Sequence, residues 1–254
     1  MDAVTTRNVT GTEYVQAMSA READRLARTA FQDLLLRIAP GQAMVYDFGA
    51  GPGIDARFYA QHGFEVAAYD VAPEMCEFFS SHCRDLIDAG RVRLERGTYQ
   101  EFLSRGAVDG GRRADVVTSN FAPLSLVGDL KPLFAKFHAL TGPDGKVLAS
   151  VLNPYCRGDL KYGWWWRNVL RLWREGHYCV PGAQAPIVRR RLAEFDSQSA
   201  PYFKLQRVYR GLPPRNEADA NGIDLSRGDR YAWMHITSSQ FLFLLFSKHR
   251  GAVG

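Results

Sequence analysis

Asp47, Gly49, Gly51 and Gly53 fall on alternate positions within Met44 to Tyr59, MVYDFGAGPGIDARFY. An apolar run ends in an acid, three glycines follow, and a helix-like pattern begins at Ile54. A helix N-terminus facing a strand end offers unpaired N–H groups and a positive dipole end, which attract the anionic parts of ligands. Glycine is needed where the backbone takes positive φ or where a ligand presses on the chain. Nineteen residues after Gly51, a second apolar run ends in Asp70. A carboxylate there can accept two hydrogen bonds from a ribose diol.

Spacing weakens two related readings. The dinucleotide fingerprint G-x-G-x-x-G requires a third glycine where Ile54 stands. A Walker loop needs Gly-Lys-Ser/Thr, yet no lysine precedes Lys131. An NAD(P)-binding oxidoreductase stays open as an alternative.

Tyr155 to Arg215 concentrates chemistry of another kind. It holds twelve Lys/Arg against four Asp/Glu, while the whole chain carries a formal charge of +5. Trp164, Trp165, Trp166 and Trp173 lie there too. Trp166, Val169, Leu170 and Trp173 share one helical stripe, and Arg167, Arg171 and Arg174 share another. Three readings are open: an amphipathic lid helix packed on the core, a helix lying on an anionic membrane, or an RNA grip. His177 beside Tyr178 is the best-placed candidate base. Cys76, Cys83, Cys156 and Cys179 form no CxxC pair, so reduced thiols of a cytoplasmic protein are expected and no metal site.

The elements needed to position these groups alternate. SARE at Ser19 to Glu22 is a capping-box signature for a first helix, with Leu26, Ala30, Leu34 and Ile38 recurring behind it. AMVYDF, FEVAAYD, RVRLERG, ADVVTSNF and GKVLASVL read as strands, the last after a GPDG turn. GIDARFYAQH and APEMCEFFSSHCRDLIDAG read as helices between them. Strands separated by helices imply a parallel sheet covered on both faces. After Asn153-Pro154 the rhythm breaks; a helix around RRRLAEF, a strand YFKLQRVYR and a final strand FLFLLFSK follow. No apolar stretch of membrane-spanning length occurs, and MDAVTTRNVT lacks a signal-peptide pattern.

D-x-G-x-G-x-G at the end of a first strand, with an acid ending the second, resembles the class I S-adenosylmethionine-dependent methyltransferases of the small-molecule type. The resemblance covers Met44 to about Leu152. It implies an α/β, Rossmann-like, doubly wound seven-stranded mostly parallel sheet with the last strand antiparallel and a helical insertion after strand 5. Asp47, Gly49, Gly51 and Gly53 would form the pocket for the methionine part and ribose of the cofactor, S-adenosyl-L-methionine. Asp70 would hold both ribose hydroxyls, with Val71 and Met75 on the adenine. Where the family often has Gly-Asp after strand three, Gly97 precedes Thr98, so Thr98 or Tyr99 would replace part of that contact. Asn120 and Phe121, with Ser119, would lie beneath the transferable methyl.

One methyltransferase domain follows, made of an N-terminal helical cap (1–40), a cofactor-binding core (41–154), an acceptor lid (155–200) and C-terminal strands (201–254). The expected acceptor is a small hydrophobic or aromatic molecule, with O-methylation favoured, Tyr155, Trp164 and Trp165 facing it, and His177 as base. SNFAP lacks the Pro-Pro-aromatic motif of amino-directed nucleic-acid methyltransferases, so no nucleic-acid partner is expected. Peripheral membrane contact through the Trp/Arg helix stays open, as do RNA or lipid acceptors.

Overall fold

The computed structural model describes residues 21–106, 112–180, 187–225 and 239–249. Its centre is β1 (Met44–Phe48), buried at all five positions, as a parallel strand covered by helices on both faces must be. Tyr46 and Phe48 point into one core with Phe102, Phe134 and Phe137. Val45 points into the other, with Phe31 and Tyr59. β2 (Glu65–Asp70), β3 (Val92–Arg96), β4 (Ala114–Ser119) and β5 (Thr141–Leu152) complete the parallel part. β1 pairs with β2 on one side and β4 on the other, Val45 lying opposite both Val66 and Val116. Strand order therefore reverses at β1, which opens a crevice at the C-terminal strand ends.

Beyond β5 the sheet adds β10 (Phe241–Lys248), antiparallel to β5, then β8 (Phe203–Arg210), antiparallel to β10. The FLFLLFSK expectation thus holds residue for residue. The sheet has eight strands rather than seven, in the order β3-β2-β1-β4-β5-β10-β8-β9. The additional strand is β9 (Ile223–Asp224), two residues on the outer edge of β8.

Several elements depart from the sequence reading. Helix α1 (Glu22–Ile38) buries Ala27, Ala30, Phe31, Leu34 and Leu35, whereas Leu26 is 41% exposed. A strict four-residue step drifts around a helix of 3.6 residues per turn, so Leu26 falls off the face that Ala30 and Leu34 share. Ser19 lies outside the described residues. After α2 (Ile54–Gln61), the helix expected over 72–90 divides at Cys83 into α3 (Pro73–His82) and α4 (Arg84–Asp88). α5 (Tyr99–Ser104) and α6 (Lys131–Leu140) cover the face of Tyr46. β5 begins at Thr141, its GPDG segment absorbed as an irregularity in the pairing with β4.

The insertion holds α7 (Gly163–Glu175) and a hairpin of β6 (His177–Cys179) with β7 (Val188–Arg190). Arg189 and Arg190 of the RRR run are accordingly strand, Arg191 is the helix N-cap, and α8 (Leu192–Ser199) starts only after it. α9 (Glu217–Asn221) precedes β9. Among the described residues no helix is long and apolar enough to cross a membrane.

Candidate active site

The glycine turn is tied to the end of β2. Gly49 and Ala50 donate their N–H groups to the Tyr69 carbonyl at 2.8 and 3.0 Å. Gly51 donates to Asp70 Oδ2 at 2.7 Å, and Ala72 N–H reaches Asp70 Oδ1 at 2.9 Å. Gly49 has φ +71°, and a Cβ there would stand 2.6 Å from Pro123 Cγ. Gly53, at φ +82°, caps α2, and a Cβ would meet the Phe79 ring at 2.7 Å. Both positions thus require glycine for space as well as for backbone.

Three carboxylates surround this turn. Asp47 is 2% exposed; its Oδ1 accepts the Thr118 hydroxyl at 2.9 Å, and its Oδ2 has no hydrogen-bond partner among the described residues. Burial, and then the charge of Asp55, pushes the Asp47 carboxyl up to about 8. Burial also raises Asp70, against the backbone N–H groups that pull it down. Asp55, one residue into α2, is bound by Arg28, by Gln32 at 2.7 Å and by Asn120 at 3.2 Å.

Asn120 also receives the Phe121 N–H at 2.9 Å. Phe121 and Ala122 then take φ +61° and +66°, a region that residues with a Cβ rarely enter and that marks functional loops. This turn ends β4 at Ser119, short of the expected ADVVTSNF. The Arg28 guanidinium lies 4.4 Å from the Phe121 ring centroid. A cleft lined by Arg28, Asp47, Gly49, Gly51, Asp55, Asn120 and Phe121 results.

The structure therefore brings together Asp47, Gly49, Gly51, Asn120 and Phe121, with Asp70 and Gly53 supporting the turn. Val71 and Met75 are half-buried beside Asp70, at the start of α3. Thr98 caps α5, its hydroxyl accepting from Glu101 N–H at 3.2 Å while Glu101 accepts from Thr98 N–H. Tyr99 is packed on the core, its hydroxyl buried with no partner among the described residues and its pKa raised by burial.

The insertion groups form a second cluster. Trp165 donates its indole N–H to the Pro154 carbonyl at 3.0 Å, just past the C-terminal end of β5. The Trp164 ring lies 6.2 Å from Tyr178 and 5.6 Å from the Arg189 guanidinium. Tyr155 gives its N–H to Asn153 at 2.9 Å, and its hydroxyl is raised by burial. His177 Nδ1 stands 3.2 Å from Glu194 Oε2; neither His177 nor the tryptophans line the cleft of the glycine turn. The aromatic stripe does not pack on the core as a lid helix would. Trp165 and Leu172 are buried, while Trp166, Leu170 and Trp173 are 58%, 63% and 68% exposed.

Sequence reasoning missed Arg28, Gln32, Asp55 and Arg190. Arg28 and Gln32 stand four apart on α1, so they share the side that meets Asp55. Polar residues beside a buried stripe were the available signal. Arg190, 2% exposed, donates to the carbonyls of Leu124 at 3.2 Å, Val127 at 2.5 Å and Gly128 at 2.7 Å. It thereby binds the insertion to the loop after β4.

Asp47 Oδ2, buried at the cleft and without a hydrogen-bond partner among the described residues, fits a ligand that brings a cation or a hydrogen-bond donor. Residues 20–188 match a family model described as a methyltransferase domain. A 1,6-didemethyltoxoflavin-N1-methyltransferase of Burkholderia thailandensis, solved with 1,6-didemethyltoxoflavin and S-adenosylhomocysteine, is similar at TM-score 0.57 and 20% identity, over 98% of this chain and 93% of that one. A TehB-like methyltransferase of Corynebacterium glutamicum gives TM-score 0.54 and 15% identity over 94% and 97%. An S-adenosylmethionine-dependent methyltransferase from Mesorhizobium loti gives 0.55 and 15% over 87% and 99%. No curated protein matches. S-adenosylmethionine, with its ammonium, sulfonium and ribose diol, suits the carboxylates of Asp47 and Asp55 that line the cleft and of Asp70 beside it. The family match covers well over half of the sequence, the fold agrees, and the chain belongs to the class I S-adenosylmethionine-dependent methyltransferases.

Proposed function

We propose that the enzyme methylates a small hydrophobic or aromatic acceptor, most readily at oxygen. S-adenosylmethionine supplies a methyl group on a sulfonium, open to in-line displacement. The chain's own part is to bind, align and exclude water. Asp47, Gly49, Gly51 and Gly53 cradle the methionine and ribose, Asp70 receives the ribose hydroxyls, and Val71, Met75, Thr98 and Tyr99 flank the adenine. Asn120 and Phe121 face the reacting centre. Of the described residues, those within 1–40 cap the core at 41–154, those within 155–200 cover the acceptor, and those within 201–254 complete the sheet.

One observation carries the acceptor class. Tyr155, Trp164 and Trp165 stand just beyond the C-terminal end of β5, the same sheet edge as the glycine turn after β1. Aromatic side chains at that edge favour a flat, apolar acceptor. The similar Burkholderia enzyme holds a small molecule, 1,6-didemethyltoxoflavin. His177, oriented by Glu194, is assigned the proton lost by an attacking hydroxyl. Incubation with phenol, carboxylate, amine and quinone panels, read by mass spectrometry of the product, tests this. Methylated phenols or quinols support it; methylation confined to RNA overturns it.

A further inference from the structure

Helix α7 has two faces of different chemistry. Its inner face is fixed: Leu172 is fully buried, and Trp165 is held by the Pro154 carbonyl. Its outer face presents Trp166, Leu170 and Trp173, spaced four and three apart and therefore aligned. Each is more than half exposed, and Tyr162 and Leu160, at 45% and 38%, extend the apolar strip past the helix start. Trp166 is not a loose side chain, since its indole N–H is tied to the Leu160 carbonyl at 2.9 Å. At water-facing helix positions two tryptophans and a leucine in one strip are a costly choice unless something covers them.

Charge identifies the cover. Arg167, Arg171 and Arg174 form a second exposed stripe beside the apolar one. Among the described residues none of the three is in an ion pair, in contrast to Arg189 and Arg190, which face Asp159 and Glu194. Lys161 adds a fourth cation at the helix start, above the Tyr162 ring at 5.0 Å. Leu160 to Arg174 contains no acidic residue. A protein partner or a second copy would bring its own acids to specific arginines. A continuous apolar strip bordered by unpaired cations instead suits a surface that is apolar within and anionic at its rim.

We propose that the outer face of α7 seats the enzyme on an anionic lipid surface, with Trp166, Leu170 and Trp173 entering the headgroup boundary and the arginines meeting lipid phosphates. The helix backs onto the C-terminal edge of the sheet through Trp165. Membrane seating places that edge beside the bilayer, whatever the acceptor proves to be.

Sedimentation of the full chain with phosphatidylcholine vesicles, with and without phosphatidylglycerol, tests the proposal. Binding is expected only to the anionic vesicles, weakened by salt and accompanied by a blue shift of tryptophan emission. Arg167→Gln, Arg171→Gln and Arg174→Gln together are expected to weaken partitioning by about two orders of magnitude. Leu170→Glu with Trp173→Glu is expected to abolish it while leaving stabilisation by S-adenosylhomocysteine unchanged, which shows that the variant is folded. Absence of binding at low salt, or equal binding by the glutamate variant, overturns the proposal. So does a dimer that the glutamate variant dissolves without any vesicle binding, or capture by single-stranded RNA in its place.

Discussion

Asp70 and Gly51 are joined by a 2.7 Å hydrogen bond from the glycine N–H to the carboxylate, across nineteen residues of sequence. The acid that the family resemblance assigns to the ribose therefore also holds the glycine turn in place. Asp70→Ala is expected to lower S-adenosylhomocysteine affinity at least about 100-fold, as two charge-assisted hydrogen bonds are lost. It should also lower the melting temperature of the free protein. Calorimetry showing wild-type affinity in the variant would remove Asp70 from the site.

The buried Asp47 carboxyl, held up to about 8, is expected to make cofactor binding depend on pH. Below that value the free enzyme carries Asp47 neutral, and a ligand ammonium beside it favours the charged form. Binding must then release a proton, so affinity rises as pH climbs from 6 toward 8, by up to about tenfold per unit. Asp47→Asn should flatten the profile. Titration calorimetry in buffers of different ionisation heat reads the proton directly, and pH-independent affinity would refute the coupling. Stability has the opposite trend. The raised pKa contributes stability that is full below the ordinary carboxylate value of about 4 and is lost as pH rises through about 8.

The two glycines flanking Ala50 should respond unequally to a methyl group. Gly49→Ala meets both positive φ and Pro123 at 2.6 Å, whereas Gly51→Ala meets positive φ and open space. Strain of about 1–2 kcal/mol is common to both, and overpacking adds about 1–3 kcal/mol at Gly49 alone. Thermal unfolding should rank Gly49→Ala below Gly51→Ala by several degrees. Equal melting temperatures would contradict the close approach of Pro123.

Arg190→Met leaves the carbonyls of Leu124, Val127 and Gly128 without their donor. A loss of about 3 kcal/mol or more is expected, and Arg190→Lys should restore little, because one ammonium cannot span three acceptors. Denaturant unfolding measures this. Full rescue by lysine would show that charge, not the guanidinium fork, is what matters.

Adjacent tryptophans should separate into two roles. Trp164→Ala is expected to reduce turnover with little change in S-adenosylhomocysteine affinity, while Trp166→Ala, on the outer face, should leave both unchanged with a soluble acceptor. Equal loss of turnover and cofactor affinity on changing Trp164 would make its part structural.

Why the core was legible and the insertion was not follows from local chemistry. Asp47 to Gly53 announces its turn because positive φ and tight packing restrict those positions to glycine, and Phe241 to Lys248 announces a strand by its unbroken apolar run. Arg190 carries no such mark. A buried guanidinium and an exposed one look alike in sequence, and only the facing carbonyls of the loop after β4 distinguish them. The same ambiguity holds along α7. Trp166 and Trp173 are apolar and periodic, as a core-facing stripe would be, yet Trp165 and Leu172 won the inner face. The pairing of Arg28 and Gln32 with Asp55 joins two helices that are separated by a strand, beyond the reach of any local pattern.

The place of β10 has a consequence for how the molecule is made. Strands β1 to β5 find their neighbours within the chain already synthesised, but β8 has no partner on its inner side until β10 arrives to lie between it and β5. Closing that gap joins segments about a hundred residues apart, an entropic cost that grows only slowly with loop length but delays the event. On the ribosome, the cofactor half can assemble early, while the flank carrying β8 and β9 waits for the last of the described strands. A ribosome stalled before Phe241 would hold an enzyme with its glycine turn formed and its sheet open along the edge of β5.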